Sequence, residues 1–231
     1  MRTSFMVAGL ALMSFIGFAP GAFAADAGLI QQSNGSVTIT NAENVSRVAG
    51  PKERILVGET IVTAAKSEAL IKMSDDSSII LRANTQFQLT EYKYDKVPAT
   101  DSSVVKLLRG SLRYVTGLIG RRNPSRVGVA TITATIGVRG TDFEVAVIPD
   151  DTAEARAGVY NLVYDGQTNI KLTQLDRNLD VKKNQTAFAP DKPKPGEEPL
   201  QLLRETPIFL QQGGGLDALI QSITIQIPMF R

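Results

Sequence analysis

The 231-residue chain has no cysteine, no histidine and no tryptophan. Without cysteine there is no disulfide framework, no thiolate nucleophile and no site for an N-terminal lipid. With histidine missing as well, ordinary zinc sites and the common nucleophile–base pairs have no residues to be built from. Aromatic residues make up only 6% of the chain, which leaves little to stack on sugars or bases. Charge is nearly balanced, 25 basic against 23 acidic residues, so nothing draws the whole molecule towards nucleic acid. Beyond the first 24 residues no run is apolar enough to span a membrane.

That first stretch has a layout of its own. Arg2 precedes an uncharged apolar run from Phe5 to Ala19, and small residues come after it, ending Ala22-Phe23-Ala24. This is the order of a secretory signal peptide with cleavage after Ala24. The run is short of the ~20 residues that a spanning helix needs. Residues 1–24 are therefore expected to be a signal peptide, and the protein to be exported to the periplasm, or secreted or attached to the envelope. Cleavage removes one arginine and no acid, which takes the net charge from +2 to +1. The remaining length suits one domain with appendages.

Short alternating segments fill the next 160 or so residues. Ala69, Ile71 and Met73 run into Ser74-Asp75-Asp76-Ser77, after which Ile79 and Leu81 resume the same parity. A polar cluster between two in-phase runs reads as a hairpin turn. Asp165-Gly166 reads as another turn, and Gly110-Ser111-Leu112-x-Tyr114 echoes Gly35-Ser36-Val37-x-Ile39 as a repeated β-turn unit would. Helical periodicity is weak before residue 200, so the fold class is all-β with many short strands, solenoid-like or sandwich-like. That domain is expected over 26–189. "PDKPKPGEEP" then carries four prolines in ten residues, a semi-rigid linker over 190–199. The tail, 200–231, is too apolar to stay solvated and is expected to pack on the domain or on a partner. Its period fits a helix and a strand equally.

One stretch, "TITATIGVRGTDFEV" at 131–145, breaks its own pattern. Ile132, Ala134, Ile136 and Val138 share one face, and after Gly140 the apolar residues shift parity to Phe143, Val145 and Val147. A one-residue slip sends every later side chain to the other face, so a bulge or corner is expected at Arg139-Gly140. Gly140 should take a positive φ. Arg139 is expected to be a structural charge that ties down freed carbonyls, with Asp142 or Asp75 as its carboxylate partner.

"LVGETIVTAAKSEALIKMSDDSSIILRANTQFQL", Leu56 to Leu89, resembles the FecR domain, the iron-dicitrate sensor family. The matching positions are Gly58, Glu59, Ile61, Thr63, Ser67, Ala69, Ile71, Asp75, Ser77, Leu81, Asn84 and Thr85. "KLLRGSLRYV" is similar to its Leu-x-x-Gly segment, and Val138-Arg139-Gly140-Thr141-x-Phe143 looks like its hydrophobic-Arg-Gly-Thr-x-Phe hallmark. "VYDG" at 163–166 resembles the turn before its closing strands. The resemblance runs over roughly 28–190 and implies an extracytoplasmic all-β interaction module without chemistry. Asp76 stands where the family usually has glycine, which is expected to change the turn type. The family's founding members resemble sigma regulators with cytoplasmic and membrane-spanning parts that find no match here, so their regulatory role does not carry over.

Candidate chemistry is sparse. Ser103-x-x-Lys106 matches one box of penicillin-binding enzymes, but on a strand that spacing puts the two side chains on opposite faces. Asp75-Asp76 and Asp150-Asp151 read as turn formers rather than metal ligands. No catalytic, metal or cofactor site is assigned, and no enzyme activity is expected. Charge is uneven, however. From Val104 to Val129 there are six basic residues (Lys106, Arg109, Arg113, Arg121, Arg122, Arg126) and no acid. Arg121, Arg122 and Arg126 concentrate in "GRRNPSR", a candidate docking patch for an anionic envelope component: lipid head groups, lipopolysaccharide or an acidic protein. The reading that results is a non-catalytic envelope interaction module. The alternatives are a sensor or regulator partnering a TonB-dependent transporter, or a carbohydrate-binding or matrix protein.

Overall fold

A computed structural model describes residues 26–219. The expected signal peptide with its cleavage site and the last twelve residues of the tail lie outside them. Strand makes up 52% of the described residues and helix 8%, so the all-β expectation holds. The elements are β1 (Asp26–Asn34), β2 (Val37–Thr40), β3 (Ser46–Val48), β4 (Arg54–Leu56), β5 (Thr60–Thr63), β6 (Glu68–Met73), β7 (Ser78–Leu81) and β8 (Gln86–Lys93). Next come β9 (Ser102–Val115), α1 (Leu118–Arg122), a 3-10 turn (Pro124–Arg126), β10 (Val127–Ala130), β11 (Ala134–Ile148) and β12 (Gly158–Leu172). The described chain closes with β13 (Asn178–Lys182), β14 (Thr186–Pro190), β15 (Gln201–Leu202) and α2 (Ile208–Gln211).

All the described strands belong to one mixed sheet, stitched together by three long ones. The first half of β9 pairs with β8 and, in parallel, with β10, while its second half pairs with β7 and β11. β12 runs beside β11 along its whole length and hands its outer edge to β14 and then β13. Inward residues of nearly every strand, among them Ile39, Ile61, Phe87, Leu107, Tyr114, Phe143 and Val163, form one continuous apolar cluster. The inward side of the sheet therefore packs on one main core.

The hairpin at 74–77 joins β6 to β7 as expected. Asp76 has φ +68°, the left-handed conformation that glycine favours and aspartate tolerates. The expected change of turn type is thus not seen. Two other turn signals are corrected. Asp165-Gly166 lies inside β12, where Gly166 (φ +79°) faces the β11 bulge so closely that a Cβ would sit 2.7 Å from the Gly140 carbonyl oxygen. Gly110 (φ +82°) lies inside β9, at the bend between its two pairing halves, with Thr85 Cα 2.5 Å from where a Cβ would be. Positive-φ glycines serve turns and strand bends alike, which is why both read as turns. Ile132 is also corrected. It is 66% exposed, because β11 starts only at Ala134.

The far face of the sheet is covered too. Leu210 packs with Tyr160, Leu162 and Phe188, and Leu216 packs with Leu70 and Ile80. Pro190 is buried at the end of β14, and Glu197 accepts hydrogen bonds from Arg156 at 2.6 and 3.1 Å. Between the two apolar patches lies a buried ion cluster. Arg82 reaches Glu144 at 3.2 and 3.0 Å, and Arg113 reaches Asp142 at 2.9 and 2.6 Å. Both guanidinium groups also donate to Asp217, Arg82 at 2.6 and 3.1 Å and Arg113 at 3.0 Å. Arg113 lies over the Tyr164 ring, 4.3 Å from its centre. Burial opposes ionisation of Asp217, but Arg82 and then Arg113 outweigh it and hold the carboxyl below its ordinary value.

A carboxylate with a lowered folded pKa contributes stability above its unfolded pKa of ~3.9 and loses it as pH falls through the folded value. Asp217→Asn should therefore cost about 1–3 kcal/mol at neutral pH. The gap to the parent should close progressively below about pH 4. Urea unfolding of both proteins across that pH range measures it, and a gap independent of pH would mean that Asp217 is not ionised in the fold.

Candidate functional site

Two segments singled out in the sequence meet on one side of the molecule. The first is α1 with its 3-10 turn, the "GRRNPSR" segment. It is short and has no capping side chain at its own N-cap, Gly117, so it needs an anchor from elsewhere. The hairpin between β6 and β7 supplies one. The Leu118 N–H donates to the Asp75 carbonyl at 2.7 Å, the Ile119 N–H to the Asp75 carboxylate at 3.2 Å, and the Gly117 N–H to Ser77 Oγ at 2.9 Å. Asp75 is fully buried and also accepts from the Ser77 hydroxyl at 2.8 Å and from the Tyr92 hydroxyl at 3.3 Å. Burial, then the neighbouring Asp75 carboxylate, push the Tyr92 phenol up and keep it protonated as a donor.

The second segment is the bulge in β11. The pairing register with β12 shifts between Arg139 and Asp142, and Gly140 has φ +59°, as its sequence suggested. Thr141 is buried and bonds back to Thr116, just before the start of α1. Its N–H donates to Thr116 Oγ1 at 2.9 Å, and its carbonyl accepts from the Thr116 N–H at 3.0 Å and hydroxyl at 3.1 Å. Asp75, Ser77 and Thr141 thus fix α1 and the bulge relative to one another. Phe143 points into the core and stacks on Tyr114 with ring centres 5.7 Å apart.

Between α1 and the bulge lies an open depression of about 920 Å³. Its lining includes Arg121, Pro124, Ser125, Val138, Arg139 and Asn169, and no acidic residue. Arg121 and Arg139 are exposed, and among the described residues neither side chain has a hydrogen bond or ion pair. Arg122 is also exposed but lies off the depression, and Arg126 donates to the Ala99 carbonyl at 3.4 Å.

The expected role of Arg139 is corrected. Asp142 is taken by Arg113 and Asp75 by Ser77, Tyr92 and α1, so neither faces Arg139. The physical reason is parity. The bulge leaves Arg139 on the solvent side, while Asp142 lands on the face of β11 that carries Glu144, beside Arg113 on β9. Arg113, counted with the basic patch in the sequence, belongs to the buried cluster instead. Ser103 is buried, with its hydroxyl 2.9 Å from that of Tyr114, and Lys106 lies on the other face of β9. The Ser-x-x-Lys pair is therefore not brought together. No group of acidic side chains among the described residues is arranged to hold a metal ion.

Residues 59–167 match the family model described as FecR protein. This stretch is a FecR domain. The FecR domain contains both walls of the depression, the α1 segment and the β11 bulge, and the residues that hold them together. Two crystal structures of a proposed anti-sigma factor from Parabacteroides distasonis ATCC 8503, at 1.65 and 2.50 Å, share the fold with a TM-score of 0.50 at 17% identity. The likeness covers 66% of this chain and 62% of that one, so the chain spans under two thirds of that protein's length. None of the curated proteins matches the chain.

Stability should separate the builders from the free arginines. Arg139→Ala should stay within about 0.5 kcal/mol of the parent, as exposed positions do. Gly140→Ala should lose about 1–2 kcal/mol to the left-handed backbone. Asp75→Ala should lose more than either, because each donor left buried without an acceptor costs about 1–3 kcal/mol. Thermal melts rank the three, and a large loss in Arg139→Ala would mean that the arginine is structural after all.

Proposed function

We propose that the protein is a non-catalytic interaction module of the bacterial envelope, and that the Arg121–Arg139 depression docks an anionic envelope component. The carrying observation is that two guanidinium groups from different segments face one depression with no carboxylate to neutralise them. The buried arginines among the described residues, Arg82 and Arg113, both have carboxylate partners, so these two stand apart. Unpaired exposed cations around a concave surface raise the local concentration of an acidic partner and select its orientation. The FecR domain and its likeness to a proposed anti-sigma factor favour a protein partner and a role in envelope signalling.

Arg121→Glu combined with Arg139→Glu should abolish capture of the partner by in vivo crosslinking. The melting temperature should stay nearly unchanged, since both side chains are exposed. Capture that survives the double reversal would mean that the depression is not the docking surface.

Export is part of the same proposal and rests on the Ala22-Phe23-Ala24 sequence. N-terminal sequencing of protein recovered from the envelope fraction should give Ala25 as the first residue. Retention of Met1 or Arg2 would point to an uncleaved anchor.

A further inference from the structure

The tail of the chain packs on the far face of the sheet, away from the depression. From Thr206 to Arg231 the chain has one acidic residue, Asp217, and it lands on the two guanidinium groups of Arg82 and Arg113. The residue before it, Leu216, is buried between Leu70 and Ile80, with Val115 and Leu219 beside it. The Leu216 N–H donates to Glu68 at 3.3 Å, and the Gly214 N–H donates to the Asp217 carboxylate. At Gly214 a Cβ would collide with Glu68 and would sit 2.7 Å from the Arg82 guanidinium. The surface therefore reads four features at once: no side chain, a main-chain N–H, a leucine and a carboxylate.

We infer that this face is a docking site for a peptide segment that presents the pattern small-x-Leu-Asp on a helical turn, and that the tail fills it as an internal competitor. Three observations separate a removable occupant from a fixed part of the fold. Arg82 keeps Glu144 and Arg113 keeps Asp142 when Asp217 leaves, so departure strands neither cation. The tail approaches through Gly213-Gly214-Gly215, a run with high conformational freedom and thus a high cost of being held in place. Between Gln212 and Leu219, only Leu216 is fully covered. A segment from another protein with the same pattern would meet the same donors, the same apolar seat and the same steric limit.

The test uses the full chain and a labelled synthetic peptide with the sequence of residues 211–219, QQGGGLDAL, read by fluorescence anisotropy. The parent should not bind it at micromolar concentration, because the attached tail competes at an effective concentration on the order of mM. The chain carrying Leu216→Ala and Asp217→Asn should bind it saturably, at least tenfold more tightly than the parent. A peptide with asparagine in place of the aspartate should bind the double variant at least tenfold more weakly. Arg121→Glu with Arg139→Glu, placed in the same background, should leave peptide binding unchanged, which separates this surface from the depression. No binding by a folded double variant, equal binding by the parent, or equal binding of the two peptides would overturn the inference. So would loss of folding in both the double variant and Asp217→Asn alone, since the tail would then be an integral part of the core.

Discussion

The bulge at Arg139-Gly140 is the constraint on which the rest of the molecule depends. Before it, β11 turns Ala134, Ile136 and Val138 to the core; after it, Phe143, Val145 and Val147. An unbroken strand would keep the even positions inside, placing Asp142 and Glu144 in the apolar cluster and expelling Phe143. Burying two unpaired carboxylates would cost far more than any single contact in the sheet contributes. Shifted by one residue, the same two acids lie on the far face, where Arg113 and Arg82 receive them. One glycine with a positive φ thus decides the composition of the core, the partners of the ion cluster and the exposure of Arg139.

That constraint was legible in the sequence because it is local. The parity change from Ile136 and Val138 to Phe143 and Val145 needs no knowledge of any other strand. The hairpin at Asp75-Asp76 was legible for the same reason. Which arginine would take Asp142 was not, since that depends on the register of β9 against β11, and Val115 opposite Asp142 fixes it. Asp165-Gly166 and Gly110-Ser111 misled because turn chemistry and strand-bend chemistry use the same backbone conformation. The cover of the far face was hidden for a further reason. β7 is buried at all four positions, yet what buries Ile80 is Leu216, and Asp217 lies 135 residues from Arg82. No periodicity within a strand reports a partner so distant.

The residues that carry the FecR pattern divide by what they touch. Asp75 and Ser77 hold the start of α1, Thr141 holds the bulge to Thr116, and Phe143 fills the core. These four stay out of the depression, but Val138, Arg139 and Gly140 of the same hallmark line it. The effect of the four is to bring two flexible cationic side chains, Arg121 and Arg139, onto one concave surface supported by rigid backbone. The motif therefore supplies the scaffold and one of the two free cations, Arg139, while Arg121 comes from outside it.

The two arginine pairs follow opposite electrostatic logic. Arg82 and Arg113 are buried with their carboxylates; burial opposes their charge, and the ion pairs more than restore it, raising both above the ordinary arginine value. Salt has little access to such pairs, so their contribution is one of specificity: a carboxylate in the right place fits and a neutral side chain does not. Arg121 and Arg139 stand in water, where charges more than about 8 Å apart are largely screened at physiological ionic strength. Their influence is short in range and dependent on salt, and it acts mainly on the rate and orientation of encounter. A partner that engaged both surfaces would be drawn in by the exposed pair and sorted by the buried one. Only the buried pair already has an occupant to displace, so attraction and commitment would be set by different parts of one sheet.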